Sequence, residues 1–233
     1  MIYQTKHRTR RLTHQSQPPT LTPNEDANYV ATTNTRKPRS DKGKTTITSR
    51  DLVVLRWIGE QYAVRLDHLQ RLLALLAGRQ TKEEGRVSRN AALDVIERWK
   101  KLNYIESEQL VQGHPRWVWL SRKGLQAMQL EFAYWKPKPG ELEHIRFVNE
   151  VRMYLEQRRP QATFISERAL KKGRSTRAGV ELSWSKERGH LPDAEFVVDG
   201  ECVAVEVELS AKGFARTVGI MEQLATDYQT VWY

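Results

Sequence analysis

The dipeptide Asp199-Gly200 constrains this chain more than any other feature. It separates two runs, LPDAEFVV and ECVAVEVELS, in which apolar and polar residues alternate. A period of two marks a strand with one covered face, and Asp-Gly tolerates the positive φ that a two-residue hairpin turn demands. Residues equidistant from the turn then face each other: Val198 opposite Glu201, Phe196 opposite Val203, Asp193 opposite Glu206. Because side chains alternate across a strand, Ala194, Phe196, Val198, Val203, Val205, Val207 and Leu209 are expected on the core face. Asp193, Glu195, Glu206 and Glu208 share the other. Directly opposed carboxylates destabilise a sheet by up to about 1 kcal/mol. Two readings of that acidic face follow: a solvated outer surface, or a site for a hard divalent cation such as Mg²⁺, which takes one or two carboxylates and keeps its waters for substrate phosphates.

Charge narrows the partner. The 233 residues carry a formal net charge of +10, and neutralising phosphates with Lys and Arg releases condensed counterions, so nucleic acid is the expected partner. Residues 1–46 hold nine basic side chains against three acidic ones with no periodic apolar pattern. They read as a disordered basic tail, either a solvated leader or an arm that tracks phosphates. A single cysteine, Cys202, excludes internal disulfides and suits a reducing cytosol, so a cytoplasmic protein is expected. No apolar signal core opens the chain, and nowhere do about 18 apolar residues run together.

Helical periodicity begins at Ile47. Thr48 or Ser49 is positioned to cap a helix with apolar residues at Leu52, Leu55, Ile58 and Tyr62. Asp67 is the expected cap of a second helix presenting Leu69, Leu72, Leu73 and Leu76 and ending at Gly78. Ser88 opens a third, burying Ala92, Val95, Trp99 and Leu102. YIESEQLV and RWVWLS read as two strands joined through Gln112-Gly113-His114-Pro115, and SRKGLQAMQLEF as a closing helix. Three helices, a ribbon and a last helix over residues 47–135 predict a winged helix-turn-helix. Its third helix would enter the major groove with Arg86, Ser88, Arg89, Asn90, Asp94, Arg98 and Lys101 turned outward, Arg and Asn being shaped for bidentate contacts to base edges. Arg116 would be the wing contact. The alternative is a small helical domain for protein contacts.

Lys136-Pro137-Lys138-Pro139-Gly140 reads as a semi-rigid linker, placing a second domain at 141–233. A helix over 140–160 comes first, apolar at Leu142, Ile145, Val148, Val151 and Leu155. ATFISERAL reads as a strand, and 171–190 as a basic insertion with a short strand at Val180–Trp184. The acidic hairpin follows, then a helix from Ala211 to Tyr228 with Phe214, Val218, Met221 and Leu224 on one side. A last strand starts at Thr230. It stops within three apolar residues, which reads as a truncated chain. His144 and His190 stand isolated in sequence and read as structural or surface residues.

Pro192-Asp193, the hairpin and Glu206-Val207-Glu208 resemble the metal-site signature PD-(D/E)xK of the restriction-endonuclease-like fold, and the order helix, strand, strand, strand, helix, strand is similar to its core. With the preceding winged helix, residues 47–233 resemble the replication-relaxation family of plasmids and other mobile elements, and the relaxases built on this nuclease fold. The resemblance implies an α+β chain. It implies Mg²⁺ or Mn²⁺ held by Asp193 and Glu206, with Glu150 as a further acidic ligand, and double-stranded DNA as partner. The motif's lysine position holds Glu208, and Lys212 is the nearest candidate to replace it. Three functions are thereby set against one another: a metal-dependent nickase, with Glu208 or Lys212 positioning water; a non-enzymatic replication or transfer factor with a degenerate nuclease-like domain; and a transcription regulator that dimerises through that domain.

Overall fold

The computed structural model describes residues 46–76, 85–173, 190–209 and 213–233. The basic tail, the end of the second helix at Gly78, the strand expected at Val180–Trp184 and Lys212 lie outside the described residues. The fold is mixed α+β, and Gly43–Tyr233 form one compact unit. Among the described residues no helix is long and apolar enough to cross a membrane.

Helix α1 (Ser49–Glu60) starts at a capping box: Thr48 Oγ1 accepts from Asp51 N at 3.2 Å while the Asp51 carboxylate accepts from Thr48 N at 2.9 Å. Asp51 is fully buried because it also receives Arg98 at 2.6 Å. That turns the helix so that Val54, Leu55 and Ile58 face the core and Leu52, expected there, is left 43% exposed. Strand β1 (Ala63–Arg65) is too short to show a period and was not legible in the sequence. Helix α2 (Leu66–Leu75) begins without a side-chain cap; Asp67, the expected cap, instead accepts two bonds from Arg65 at 2.7 and 2.6 Å. Leu69, Leu72 and Leu73 are buried as expected, but Leu76 is exposed beyond the helix end.

Helix α3 (Arg89–Lys101) is capped by Ser88, whose Oγ accepts from Ala91 N, and buries Ala92, Val95, Ile96 and Trp99. Strands β2 (Ile105–Glu108) and β3 (Trp117–Leu120) form the expected ribbon, with β1 on the far side of β3, giving an antiparallel sheet of order β1-β3-β2. Val118 and Leu120 pack into the helical core, while Trp117 and Trp119 pack on Leu142 and Ile145. Helix α4 (Arg122–Ala127) is shorter than predicted. The chain leaves it through Gln129 at φ 54°, and Leu130 and Phe132 drop into the core.

Helix α5 (Leu142–Arg158) follows a single 3₁₀ turn, Pro139–Glu141. The sequence ATFISERAL forms a strand β4 (Thr163–Ser166) and a one-turn helix α6 (Glu167–Leu170) rather than one strand. The break falls at Ser166, whose Oγ accepts from Ala169 N. Strands β5 (Ala194–Val198) and β6 (Glu201–Val205) pair in the expected register across Asp199 (φ 52°) and Gly200 (φ 83°). Helix α7 (Phe214–Asp227) leads to β7 (Thr230–Trp232), parallel to β6, in a sheet of order β4-β5-β6-β7.

One face of this sheet packs on α5, with Phe164, Ala194, Phe196 and Val205 against Val151 and Leu155. The other face, which carries the acids, is not open to solvent. Helix α7 covers it, packing Ile220, Leu224 and Tyr228 on Ala204. The expected side of α7 is therefore wrong at its start: Phe214 is 85% exposed and Val218 and Met221 are only half-buried, because the first turn is exposed throughout. On the hairpin, Leu209 is also exposed.

The segment 136–140 does not separate two cores. Pro137 is buried, and the helical core runs on through Met153, Ile165, Ala169 and Leu170. The seam is polar as well as apolar. Asn149 Nδ2 donates to Ala63 O at 2.9 Å, and Arg152 reaches Glu60 at 2.8 Å and Glu156 at 2.7 Å. Arg168 donates to the carbonyls of Gly59 and Ala133, between the rings of Tyr62 and Phe132. Burial lowers its pKa to about 10.

Candidate functional site

Three features carry chemistry: the outer face of α3, the acidic end of the β5–β6 hairpin, and a cleft beside it. On α3, Arg89, Asn90, Asp94 and Lys101 are exposed, as are Arg86 and Ser88 before it. Arg98, expected among them, is drawn inward by its ion pair with the buried Asp51. Lys100 pairs with Glu97 at 3.3 Å. Arg116 is half-buried beside the ribbon loop, and its carbonyl accepts from Leu66 N at 2.8 Å.

At the acidic end, alternation places four carboxylates, but their surroundings differ. Glu195 is fully buried and accepts from Tyr228 Oη at 2.7 Å. Asp193 Oδ2 accepts from Val207 N across the hairpin at 2.8 Å, and its Oδ1 lies 2.8 Å from His144 Nε2 on α5. Glu206 is 6% exposed, and its Oε1 lies 2.9 Å from His190 Nε2. Gln223 of α7 holds His190 in turn, accepting from its backbone N–H at 3.0 Å. Glu208 is half-buried. Both histidines were read as isolated, and each is instead the partner of one motif carboxylate. Sequence separations of 49 and 16 residues gave no local signal of this. The hydrogen bond to Asp193 holds the His144 pKa above its ordinary value despite burial, assisted by the charges of Asp193, Glu167 and Glu206.

The fit of this end to a hard cation rests on one atom. Glu206 Oε2 is buried and has no hydrogen-bond partner among the described residues, so the carboxylate is held out of water with only its other oxygen, at His190, engaged. Glu150, expected as a third ligand, is spent elsewhere. It accepts from Arg71 at 2.8 Å and lies 2.9 Å from His68 Nε2, both on α2. Burial works against its charge, but those bonds outweigh it and lower its pKa. Among the described residues no group of three or more His, Cys, Asp or Glu side chains is arranged to hold a metal. What remains is a two-carboxylate donor set, Asp193 and Glu206, of the kind that Mg²⁺ completes with water.

The cleft lies on the α5 side of Asp193. It is a cavity of about 470 Å³ whose lining includes Tyr62, Trp135, His144, Glu167, Lys171 and Asp193. Tyr62 Oη donates to Glu167 Oε2 at 3.0 Å, and Lys171 Nζ meets the other Glu167 oxygen at 2.7 Å. Burial, reinforced by Glu167, raises the Tyr62 pKa, so its phenol stays protonated at neutral pH. Burial lowers the Lys171 pKa, but Glu167 more than reverses that, so the ammonium is retained. No protein-family model, no curated protein and no solved structure matches this chain.

Proposed function

We propose that the chain is a double-stranded DNA-binding protein of plasmid or other mobile-element replication or mobilisation. On this reading it is a winged helix-turn-helix followed by a PD-(D/E)xK nuclease-like domain. The observation that carries it is the presentation of α3: a Ser-capped helix with Arg89, Asn90 and Lys101 exposed, set in the order α1-β1-α2-α3-β2-β3 with the ribbon beside it. That order supports entry of α3 into a major groove. The net charge of +10 supports the affinity for phosphate. For the second half, the support is the sheet β4-β5-β6-β7 with a parallel last pair and one helix on each face.

Arg89→Ala and Asn90→Ala should each lower sequence preference by about 1–3 kcal/mol in a competition binding assay. Equal preference in wild type and both variants would take α3 out of the groove. Deleting residues 1–46 should flatten the salt dependence of binding if the tail tracks phosphates.

A second reading, a metal-dependent nickase, is favoured by Glu206 Oε2, buried with no partner among the described residues. A bound Mg²⁺ or Mn²⁺ would supply an activated water and charge stabilisation at the scissile phosphate. The chain's own part is to fix Asp193 through Val207 N and His144, and Glu206 through His190. Glu208 at the lysine position favours the non-enzymatic factor. Nicking of supercoiled plasmid that needs Mg²⁺ or Mn²⁺ and vanishes in Asp193→Ala would decide for the enzyme; duplex binding without nicking would decide for the factor.

A further inference from the structure

The cleft beside Asp193 holds a polar group that none of the described residues satisfies. Gln61 lines the cavity, is 4% exposed, and its Nε2 has no hydrogen-bond partner among the described residues. A buried amide donor without an acceptor costs free energy, so its retention at a cavity wall points to an acceptor supplied from outside. The next residue is strained toward the same space. Tyr62 has φ 67°, and Ala63 N donates to Gln61 O across it at 2.8 Å, a γ-turn of the rare positive-φ kind. That turn sets the Tyr62 ring against Trp135, with centroids 5.0 Å apart at 55°. Arg168 lies 4.9 Å from the Tyr62 ring centroid and Glu167 accepts from its hydroxyl, so the ring is held in place. Ile145 and Val148 complete an apolar lining.

We propose that this cleft binds a purine base bearing an exocyclic amino group. The inference rests on the DNA-binding reading and deepens it by naming the part of a nucleic acid this second site takes. An aromatic wall stacks on a planar heterocycle. Gln61 Nε2 donates to a ring nitrogen or carbonyl, and the carboxylate of Glu141, exposed at the lining, accepts from the amino group. Glu141, Glu167 and Asp193 repel a phosphate, so the base enters and its phosphate stays outside. There the exposed Lys138, two residues before Gly140, provides counter-charge, Lys171 being paired with Glu167 and Lys136 with Glu108. Thymine has no amino group and ranks lowest. The cavity, at about 470 Å³, has room for the base and its sugar. The base can come from an unpaired strand or from a free mononucleotide.

The full chain is titrated with labelled oligo-dA and oligo-dT single strands, with free dAMP and dTMP, and with duplex DNA. Binding is read by anisotropy or tryptophan fluorescence. Oligo-dA should bind about tenfold more tightly than oligo-dT, and Gln61→Met or Trp135→Leu should abolish that preference, a loss in the range of one stacked base. Gln61→Met removes an unpartnered buried donor, so its thermal midpoint should not fall, which separates lost binding from lost folding. Glu141→Gln, at an exposed position, serves as the second variant. If dAMP shows the same sensitivity to these variants, the ligand is a free nucleotide; if only the strand does, it is an unpaired base. Equal binding of dA and dT, or a preference that survives Gln61→Met, overturns the inference. Duplex binding that survives these variants but falls in Arg89→Ala keeps the two sites apart, so the cleft can fail while the α3 reading stands, and the reverse.

Discussion

Both sheets are covered on both faces, yet they bury different chemistry. The central strand of the smaller sheet, β3, buries Trp117, Val118, Trp119 and Leu120. The paired strands β5 and β6 of the larger one bury Phe196, Val203, Ala204 and Val205, but also Glu195 and, at the strand end, Glu206. Removing a carboxylate from water costs several kcal/mol unless partners restore what water gave. A sheet selected only to hold the fold together gains nothing from that expense. The difference teaches that the smaller sheet is apolar scaffold, wedged between helices and α5, and that the larger sheet holds buried carboxylates that depend on partners brought from α5, α7 and the chain before β5.

The sharpest way to break this contrast is to empty the scaffold. Trp119→Ala removes a ring packed on Leu142 and Ile145 of α5. It should cost about 3–5 kcal/mol in urea unfolding. Because α5 also carries His144, the variant should loosen the acidic end that the helix supports. A loss under about 1 kcal/mol would mean the smaller sheet is not the scaffold. Next in size is Tyr228→Phe, which takes the phenolic donor from the fully buried Glu195. It should cost about 1–3 kcal/mol. Unchanged stability would show that other contacts satisfy Glu195, and the contrast between the sheets would lose its best example.

Much of the larger sheet was legible because its signals are local. Asp199-Gly200 set the turn, and alternation then set the register from Val198–Glu201 to Ala194–Val205. The Ser88 cap and the buried side of α3 were legible for the same reason. What the sequence hid depends on distant partners. Nothing near Arg98 announces Asp51, 47 residues away, and nothing near Glu150 announces Arg71 and His68 on α2. The acidic face was expected either wet or metal-bound. Its cover by α7 follows from Leu224 and Tyr228 meeting Ala204, a contact no window of sequence contains. At the acidic end, Asp193 and Glu206 were singled out, but the histidines paired with them were set aside, and Gln61, just past α1, gave no signal at all.

A smaller effect sharpens the assignment of the site. Glu206→Gln keeps an acceptor for His190 while removing a buried negative charge whose Oε2 has no partner among the described residues. Stability should rise, by about 1 kcal/mol, as is common where function rather than folding retains a residue. Calorimetric titration with Mn²⁺ should show any binding weakened in the same variant. A clear loss of stability would make Glu206 a structural residue and return the larger sheet to the same class as the smaller.

The smallest predicted effect separates two histidines that each face a carboxylate. The His68 side chain is wholly buried, with Nε2 at Glu150 and Nδ1 without a partner among the described residues. Protonation would place an unsatisfied N–H at Nδ1, and burial lowers the pKa below its ordinary value although Asp67 and Glu150 oppose this. The depressed folded-state value means that its contribution to stability is present above the unfolded pKa, about 6.5, and is lost as pH falls through the folded one. His144 has the opposite sign. Its pKa is raised, so its contribution is full below about 6.5 and fades as pH rises through the folded value. Thermal midpoints taken in EDTA from roughly pH 5 to 8, across the range where histidine titrates, should therefore diverge. His68→Gln, which retains a donor for Glu150, should flatten the acid-side decline, and His144→Gln should flatten the decline on the neutral side. Parallel profiles would show that the two histidines sit in equivalent environments, and that the seam and the acidic end do not differ in the way their hydrogen bonds imply.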